Sequence, residues 1–178
     1  MNDILWAPWR MDYILSPKPK GCVFCHAASL KDGSDDENLV VHRGENTYII
    51  LNRYPYAHAH LLVVPNCHVD RFECMEPDIV KEFMEMWVFA QRVVIDTFKP
   101  QGVNLGMNIG QAAGAGIESH IHAHVVPRWN GDTNFMPLLA DTRVMPDHLS
   151  ETYQKLKSVF ANTVIDKACL QNCLSGKK

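Results

Sequence analysis

The chain has 178 residues, 47% of them hydrophobic, and a formal net charge of −3. This length and apolar content predict one well-packed core and leave little chain for a second independent domain. The weak negative charge argues against a general nucleic-acid-binding protein. The sequence shows neither a basic and then apolar N-terminal signal nor an apolar stretch of about 18 residues, which predicts a soluble, cytoplasmic protein without membrane association.

Apolar periodicity predicts an α+β fold, in which five short strands are interrupted by one long helix and followed by a second helix. A polar run at residues 31–37 is expected to form an exposed loop before the first strand. Because most successive strands are joined by short connections, we expect an antiparallel sheet. The expected strands are 39–42, 47–52, 60–64, 102–109 and 121–127, and the expected helices are 78–98 and 150–173.

The predicted long helix carries an apolar stripe at three- and four-residue spacing, which is typical of a face packed on a core. Met84, Met86 and Phe89 widen the apolar surface beyond this stripe. Such a surface is covered either by a second subunit or by the same chain. The stripe itself consists of Ile79, Val80, Phe83, Trp87, Ala90, Val93 and Val94.

A Cys-x-x-Cys pair lies near the start of the predicted core, at Cys22 and Cys25. This spacing lets one tight turn present two sulfur atoms to a metal ion. On the spacing alone, a redox motif, half of a metal site and coincidence all remain open.

Three histidines at alternate positions, His120, His122 and His124, are the most informative feature of the chain. In an extended strand they would share one face and form a row of about 13 Å, close to the length of a di- or triphosphate. A Gly- and Ala-rich stretch at 106–116 precedes them and could turn backbone N–H groups toward an anion. The alternative is an ordinary solvated strand face, although such faces favour Lys, Glu, Thr and Ser.

The His-x-His-x-His motif followed by two apolar residues resembles the signature of the histidine triad (HIT) superfamily, whose members act on nucleotide phosphoanhydrides, phosphoramidates and related bonds. Segments 51–55 and 60–69 resemble the other two typical segments, in the expected order, so the resemblance runs from about residue 22 to residue 128. The Trp6-Ala-Pro-Trp-Arg10 stretch and residues 127–135 look like the branch of bacterial diadenosine polyphosphate phosphorylases and hydrolases. The resemblance implies a HIT-like fold, a homodimer, and three regions: an N-terminal extension (1–21), a HIT domain (22–135) and a C-terminal extension with a helix (136–178).

The resemblance also implies a mechanism. His122 would attack the α-phosphorus of a nucleotide and form a covalent nucleotidyl-histidine, and His124 would contact the same phosphate as the second catalytic residue. His60 would orient its neighbours. The implied nucleotide-binding residues are Asn52, Asn108, Gly114, Gly116, Ser119 and His124. The implied ligands of a structural zinc ion are Cys22, Cys25, His68 and His120.

Several alternatives stay open at this stage. Water, inorganic phosphate or another phosphorylated metabolite could accept the nucleotidyl group, and a nucleoside phosphoramidase would use the same histidine. A nucleotide-binding module without turnover is the non-enzymatic alternative. Stretch 114–119 departs from the family pattern before the triad and bears on the leaving-group contacts. Trp129 and Arg128 could stack on a base and pair with phosphate, or Trp129 could pack into the core.

Overall fold

The computed structural model describes residues 21–30, 34–132 and 147–165. Five strands form one antiparallel sheet in the order β1-β2-β3-β5-β4, which confirms the predicted fold class. The strands are β1 (Val40–Arg43), β2 (Thr47–Leu51), β3 (Leu61–Pro65), β4 (Gly102–Met107) and β5 (Ala123–Arg128). The helices are α1 (Val23–Ser29), α2 (Asp35–Asn38), α3 (Pro77–Phe98) and α4 (Leu149–Asn162), with short 3₁₀ turns at Phe72–Cys74 and Gln111–Ala113.

The strands lie within two residues of their expected bounds, and one difference bears on the site. Strand β5 begins at Ala123, so His120 and His122 precede the strand instead of lying in it. Of the three histidines, only His124 belongs to the β5 ladder, where it lies opposite Leu62 of β3 and Gly106 of β4. The expectation of three histidines on one regular strand is therefore wrong in this detail.

Helix α3 begins at Pro77, a residue suited to the first helical position, and ends where Lys99 adopts a left-handed conformation before Pro100. Met86 and Phe89 are buried in the core of the same chain, so of the two alternatives for these residues, cover by the same chain applies. Met84 and Val88 remain exposed. The helix therefore buries one broad face and leaves a narrow apolar strip outside it.

The sheet has a different layer on each face. On one face α3 and α4 cover a cluster of eighteen buried apolar residues, among them Ile49, Val63 and Val125. On the other face Phe24 and Ala27 of α1 pack in a cluster of six, with Tyr48, Leu62 and Val40. Helix α1 was not predicted, because a seven-residue helix is too short to show a clear period.

Two further segments differ from expectation. Within the predicted loop, Asp35 starts a single helical turn and pairs with Arg43 and Lys157. Burial would raise the pKa of Asp35, but hydrogen bonds and charges from Lys157 and Arg43 outweigh burial and lower it.

Helix α4 ends at Asn162 instead of continuing to residue 173, because Thr163 is extended, and Asn, Thr and Val form poor helix. Residues 166–173 lie outside the described residues, as do 31–33 of the predicted loop and the stretch Trp6-Ala-Pro-Trp-Arg10. Among the described residues, no helix combines the length and apolar character that a membrane span requires.

Candidate active site and metal cluster

The three triad histidines lie on the α1 side of the sheet and are buried. Their exposed fractions are 0% for His120, 5% for His122 and 8% for His124, so only a narrow part of the last two rings reaches solvent. The ring of Phe24 on α1 lies 5.0 Å from that of His122 and 5.5 Å from that of His120. The rings of His122 and His124 are 5.1 Å apart. The structure thus brings the two predicted catalytic residues together.

A backbone carbonyl sets the tautomer of His122. Its Nδ1 lies 2.9 Å from the carbonyl oxygen of His120, which can only accept, so Nδ1–H donates. In a neutral ring the other nitrogen, Nε2, then carries the lone pair. Burial lowers the pKa of His122, although the hydrogen bond to His120 acts in the opposite direction. The ring is therefore neutral near pH 7, with Nε2 available as a nucleophile.

The tautomer of His124 is opposite to that of His122, because a chain of hydrogen bonds begins at a backbone donor. The Tyr56 backbone N–H donates to Nδ1 of His60 at 3.0 Å, which leaves the proton of the His60 ring on Nε2. His60 Nε2–H then donates to Nδ1 of His124 at 2.9 Å. The proton of His124 therefore lies on Nε2. Among the described residues, this buried atom has no hydrogen-bond partner.

The low pKa of His124 makes its Nε2–H a neutral donor. Burial, followed by the positive charge of a protonated His122, lowers the pKa of His124 to about 4. A buried donor without a partner is costly, and an anion placed beside it would remove that cost. The pair of rings therefore offers one nucleophilic nitrogen and one hydrogen-bond donor side by side.

The other predicted nucleotide-binding residues lie in two places, after β2 and in the loop that follows β4, and their roles stay predictions. Asn52 follows β2 and contacts Nδ1 of His60 through its side-chain amide at 3.2 Å. Asn108 reaches the carbonyl of Gly114 at 3.4 Å, and Gly114 has a φ of +83°, which glycine adopts without strain. Gly116 and Ser119 are exposed on the same loop. Gly114, Gly116 and Ser119 are therefore open to solvent and accessible to an anion.

Four predicted zinc ligands form one cluster. Cys22, Cys25, His68 and His120 place their ligand atoms within 4.8 Å of one another. Nδ1 of His120 lies 3.4 Å from the Cys22 sulfur and 3.5 Å from the Cys25 sulfur, and Nδ1 of His68 lies 3.1 Å from the Cys25 sulfur. Tetrahedral zinc with two sulfur and two nitrogen ligands separates its ligand atoms by about 3.3–3.8 Å.

The ring nitrogen of His120 that does not contact the cysteines also agrees with a zinc site. Its Nε2 lies 2.9 Å from the carbonyl oxygen of Pro65, so Nε2–H donates and Nδ1 is left with the lone pair that a metal needs. The donor set and its tautomer therefore fit zinc. His120 would connect the metal cluster directly to the backbone that carries His122.

Sequence reasoning missed three contacts of the site. Phe24 packs on His120 and His122, Tyr56 stacks on His124 with a centroid distance of 5.7 Å, and the Trp87 indole donates to the carbonyl of His124. Only Phe24 carried a usable signal, because it lies between the two cysteines of the Cys-x-x-Cys pair. The other two reach the site from a loop and from α3.

The suggestion that Arg128 pairs with phosphate is not supported by its contacts. Its guanidinium donates to both carboxylate oxygens of Asp132 and to the side chain of Asn104. These contacts hold the end of β5 against β4. The half-buried ring of Trp129 faces His58 at a centroid distance of 6.1 Å.

Comparison with known proteins places the chain in a family. Residues 34–131 match the sequence profile of the HIT domain, which is more than half of the chain. The protein therefore belongs to the HIT domain family, which confirms the resemblance read from the histidine motif. The matched residues lie inside the expected 22–135 domain, and those outer boundaries stay a prediction.

Individual relatives agree with this assignment. An AP-4-A phosphorylase of Mycobacterium tuberculosis (strain ATCC 25618 / H37Rv) is 37% identical over 163 residues, covering 88% of this chain and 84% of the relative. The crystal structure of a zinc-bound histidine triad family protein from Mycobacterium smegmatis has a TM-score of 0.62 and 30% identity, covering 79% of this chain and 94% of that one. The crystal structure of a hypothetical histidine triad nucleotide-binding protein from Sulfolobus tokodaii strain 7 has a TM-score of 0.60 and 25% identity, covering 79% of this chain and 90% of that one.

Proposed function

We propose that the protein cleaves dinucleoside polyphosphates by transferring a nucleotidyl group, first to His122 and then to inorganic phosphate. The observation that carries this proposal is the pair of opposite tautomers. Nε2 of His122 bears a lone pair, since its Nδ1–H is bound to the His120 carbonyl. Beside it, Nε2–H of His124 has no partner among the described residues. A nucleophile and an oxyanion donor are the two groups that phosphoryl chemistry needs here.

In the first step, the lone pair of His122 Nε2 forms a bond to the α-phosphorus of the substrate. The bond from that phosphorus to its bridging oxygen breaks, and the remaining nucleotide leaves with the electron pair. Positive charge develops on the His122 ring, and the Nδ1–H bond to the His120 carbonyl stabilises it. In the second step, a phosphate oxygen attacks the same phosphorus and the electron pair returns to Nε2. From diadenosine tetraphosphate, the products are ATP and ADP.

His124 stabilises the charge that builds on the phosphate oxygens. Because the Tyr56 backbone and His60 fix its proton on Nε2, the donor is in place before the substrate binds. A donor that needs no reorganisation is worth more in a buried site than in water. Asn52 would contact the ribose, and Asn108, Gly114, Gly116 and Ser119 would contact phosphate oxygens.

The similarity to the M. tuberculosis protein supports both the substrate class and the acceptor. That relative is called an AP-4-A phosphorylase, and the 37% identity extends over 88% of this chain. We therefore favour inorganic phosphate over water as the acceptor. Hydrolysis of the same intermediate would give AMP and ATP.

We also propose that Cys22, Cys25, His68 and His120 hold a structural zinc ion. The cluster offers two thiols and two imidazoles, and a zinc-bound histidine triad protein has a similar fold. With four protein ligands the ion would have no open position for water and would act by fixing His120 and the adjoining backbone.

We further propose that a second copy of the chain covers the edge of the sheet at β4. This strand is the last in the sheet order, and most of its residues are exposed. Leu105 is 44% exposed, and Met84 and Val88 on α3 are each 43% exposed. Exposed apolar side chains, and a strand edge that pairs with no further strand among the described residues, are typical of a protein interface. Leu105→Arg should convert a dimer into a monomer in light scattering; a monomeric wild-type protein would contradict the proposal.

The function is tested with diadenosine tetraphosphate, with and without inorganic phosphate, followed by separation of the nucleotide products. We expect ATP and ADP with phosphate, and a nucleotidyl-protein adduct detectable by mass spectrometry without it. His122→Ala should lower turnover by at least about a thousandfold while the melting temperature shows that the variant is folded. An inactive wild-type protein, or near-normal turnover in His122→Ala, would overturn the proposal. AMP in place of ADP would identify a hydrolase.

A further inference from the structure

One contact of His124 comes from the opposite side of the sheet. The indole Nε1–H of Trp87, on α3, donates to the backbone carbonyl oxygen of His124 at 3.1 Å. Thirty-seven residues separate the two positions along the chain. The side chain of Trp87 is therefore hydrogen-bonded to the backbone of His124, whose own side chain lies in the candidate site on the other face of the sheet.

His124 is fixed at three places by this contact and its neighbours. The ladder holds its backbone between Leu62 and Gly106, and His60 binds its ring at Nδ1. Trp87 fixes the orientation of the peptide group that joins His124 to the next residue. The one remaining polar atom of the residue, Nε2, has no partner among the described residues. Its direction is thus set by contacts on every other side.

Packing alone does not account for Trp87. The residues of α3 that fill the core completely include Phe83, Met86 and Val93, whereas Trp87 is half-buried. A phenylalanine would occupy much of the same space. What it lacks is the N–H group, which in this protein meets the carbonyl of a predicted catalytic residue.

We propose that Trp87 is a positioning residue for nucleotidyl transfer: its indole N–H holds the His124 backbone so that Nε2–H points at an oxygen of the substrate phosphate. The inference rests on the proposed function and extends it to a residue on the far face of the sheet. Small displacements of a donor in a reacting site lower the rate more than they lower binding. Loss of this single hydrogen bond therefore acts mainly on kcat.

The test compares Trp87→Phe with the matched control Phe83→Leu. Phe83 is fully buried beside Trp87, with ring centroids 6.5 Å apart, and removing its ring weakens the core without breaking a bond to His124. We expect Trp87→Phe to lower kcat about tenfold with little change in KM, as loss of one neutral hydrogen bond implies. Phe83→Leu should lower the melting temperature further than Trp87→Phe while keeping kcat within about twofold.

A second readout separates positioning from general loosening. The carbonyl ¹³C resonance of His124 reports directly on hydrogen bonding to that oxygen. It should move to lower frequency in Trp87→Phe and stay in place in Phe83→Leu. A wild-type kcat in Trp87→Phe, or an equal loss of kcat in both variants, would overturn the positioning role while leaving the proposed function intact. An inactive wild-type protein would overturn the proposed function, and the role of Trp87 with it.

Discussion

The two faces of the sheet are held by different kinds of interaction. The face under α3 and α4 buries eighteen apolar residues in one cluster, whereas the face under α1 buries six among the described residues. The candidate site lies on the second face. Its stability depends more on hydrogen bonds and on the cysteine and histidine cluster than on apolar area. The predicted catalytic residues therefore lie on the face with the smaller apolar cluster, and the larger cluster on the opposite face supports the sheet.

The contacts of α1 show how the helix is held on the face of the sheet that carries the candidate site. The Tyr48 hydroxyl donates to the carbonyl of Phe24 at 2.9 Å, and Arg43 donates to the carbonyl of Ala27 at 2.8 Å. Cys22 and Cys25 attach the beginning of the same helix to His120. Because Phe24 also packs on His122, any loosening of α1 is expected to reach the nucleophile.

Removing zinc should change the free energy of unfolding more than any of the variants below, through the face of the sheet that α1 covers. We expect about one zinc ion per chain in the purified protein, measured by metal analysis. Zinc added to the metal-free protein at a hundred times its Kd should raise the free energy of unfolding by about 2.7 kcal/mol, since the ion binds only the folded cluster.

Two cysteine variants test this expectation. Cys22→Ser removes a ligand and should abolish both the bound zinc and the stabilisation. Cys67→Ser is the matched control, because Cys67 is half-buried beside His68 but lies outside the cluster. Retention of one zinc ion per chain in Cys22→Ser would contradict the four-ligand proposal.

A pair of tyrosine variants compares the two faces with smaller changes. Tyr48→Phe removes the hydroxyl that donates to the Phe24 carbonyl of α1. Tyr153→Phe, on α4, removes a hydroxyl that donates to the Asp36 carboxylate and lies within hydrogen-bond distance of the Val40 carbonyl. Each should lower the free energy of unfolding by about 1 kcal/mol in urea denaturation. Only Tyr48→Phe should also weaken zinc binding, because its hydroxyl orients the metal-binding helix. Equal zinc affinity in both variants would mean that α1 is placed without this bond.

The smallest expected effect is on the stability of the protein in acid, and it involves a histidine on the face of the sheet under α3 and α4. His42 packs against the rings of Phe89 and Phe160, at centroid distances of 5.3 and 5.6 Å, and these two rings also contact each other. Burial together with the charge of Lys157 lowers the pKa of His42 below the ordinary 6.5. The unfolded chain then binds the proton more readily than the folded one. The stability contribution of a neutral His42 is therefore full above pH 6.5 and is lost as the pH falls from there toward the lower folded pKa.

His42→Phe keeps a ring packed against the two phenylalanines and removes the titration. Between about pH 7.5 and pH 5.5, the melting temperature of the variant should fall by a few degrees less than that of the wild-type protein. Other buried histidines still titrate in both proteins, so part of the acid sensitivity remains. Identical losses in the two proteins would show that His42 does not contribute.

Sequence reasoning succeeded where a local pattern expresses a physical period. Short apolar runs between turn residues indicated the strands, and the stripe through Phe83 and Val94 indicated α3. Prediction from the sequence was less successful where the burial of a residue depends on segments that are distant along the chain. Met86 and Phe89 are buried because α3 is covered by both the sheet and α4, which the helix pattern alone does not show. Helix α4 stopped early at Asn162, where local propensity was against the longer prediction.

The strands, the long helix, the family and the chemically capable residues could all be predicted from the amino-acid sequence, because they depend on spacing and side-chain type. Which nitrogen of each imidazole carries its proton could not be predicted, since it depends on the folded backbone. The carbonyls of His120 and Pro65 and the N–H of Tyr56 make those assignments, and each reaches its ring through the folded backbone. The structure also brought Trp87 to the His124 carbonyl from the other face of the sheet. A hydrogen-bond donor has a direction as well as a type, and direction is fixed only when distant segments pack together.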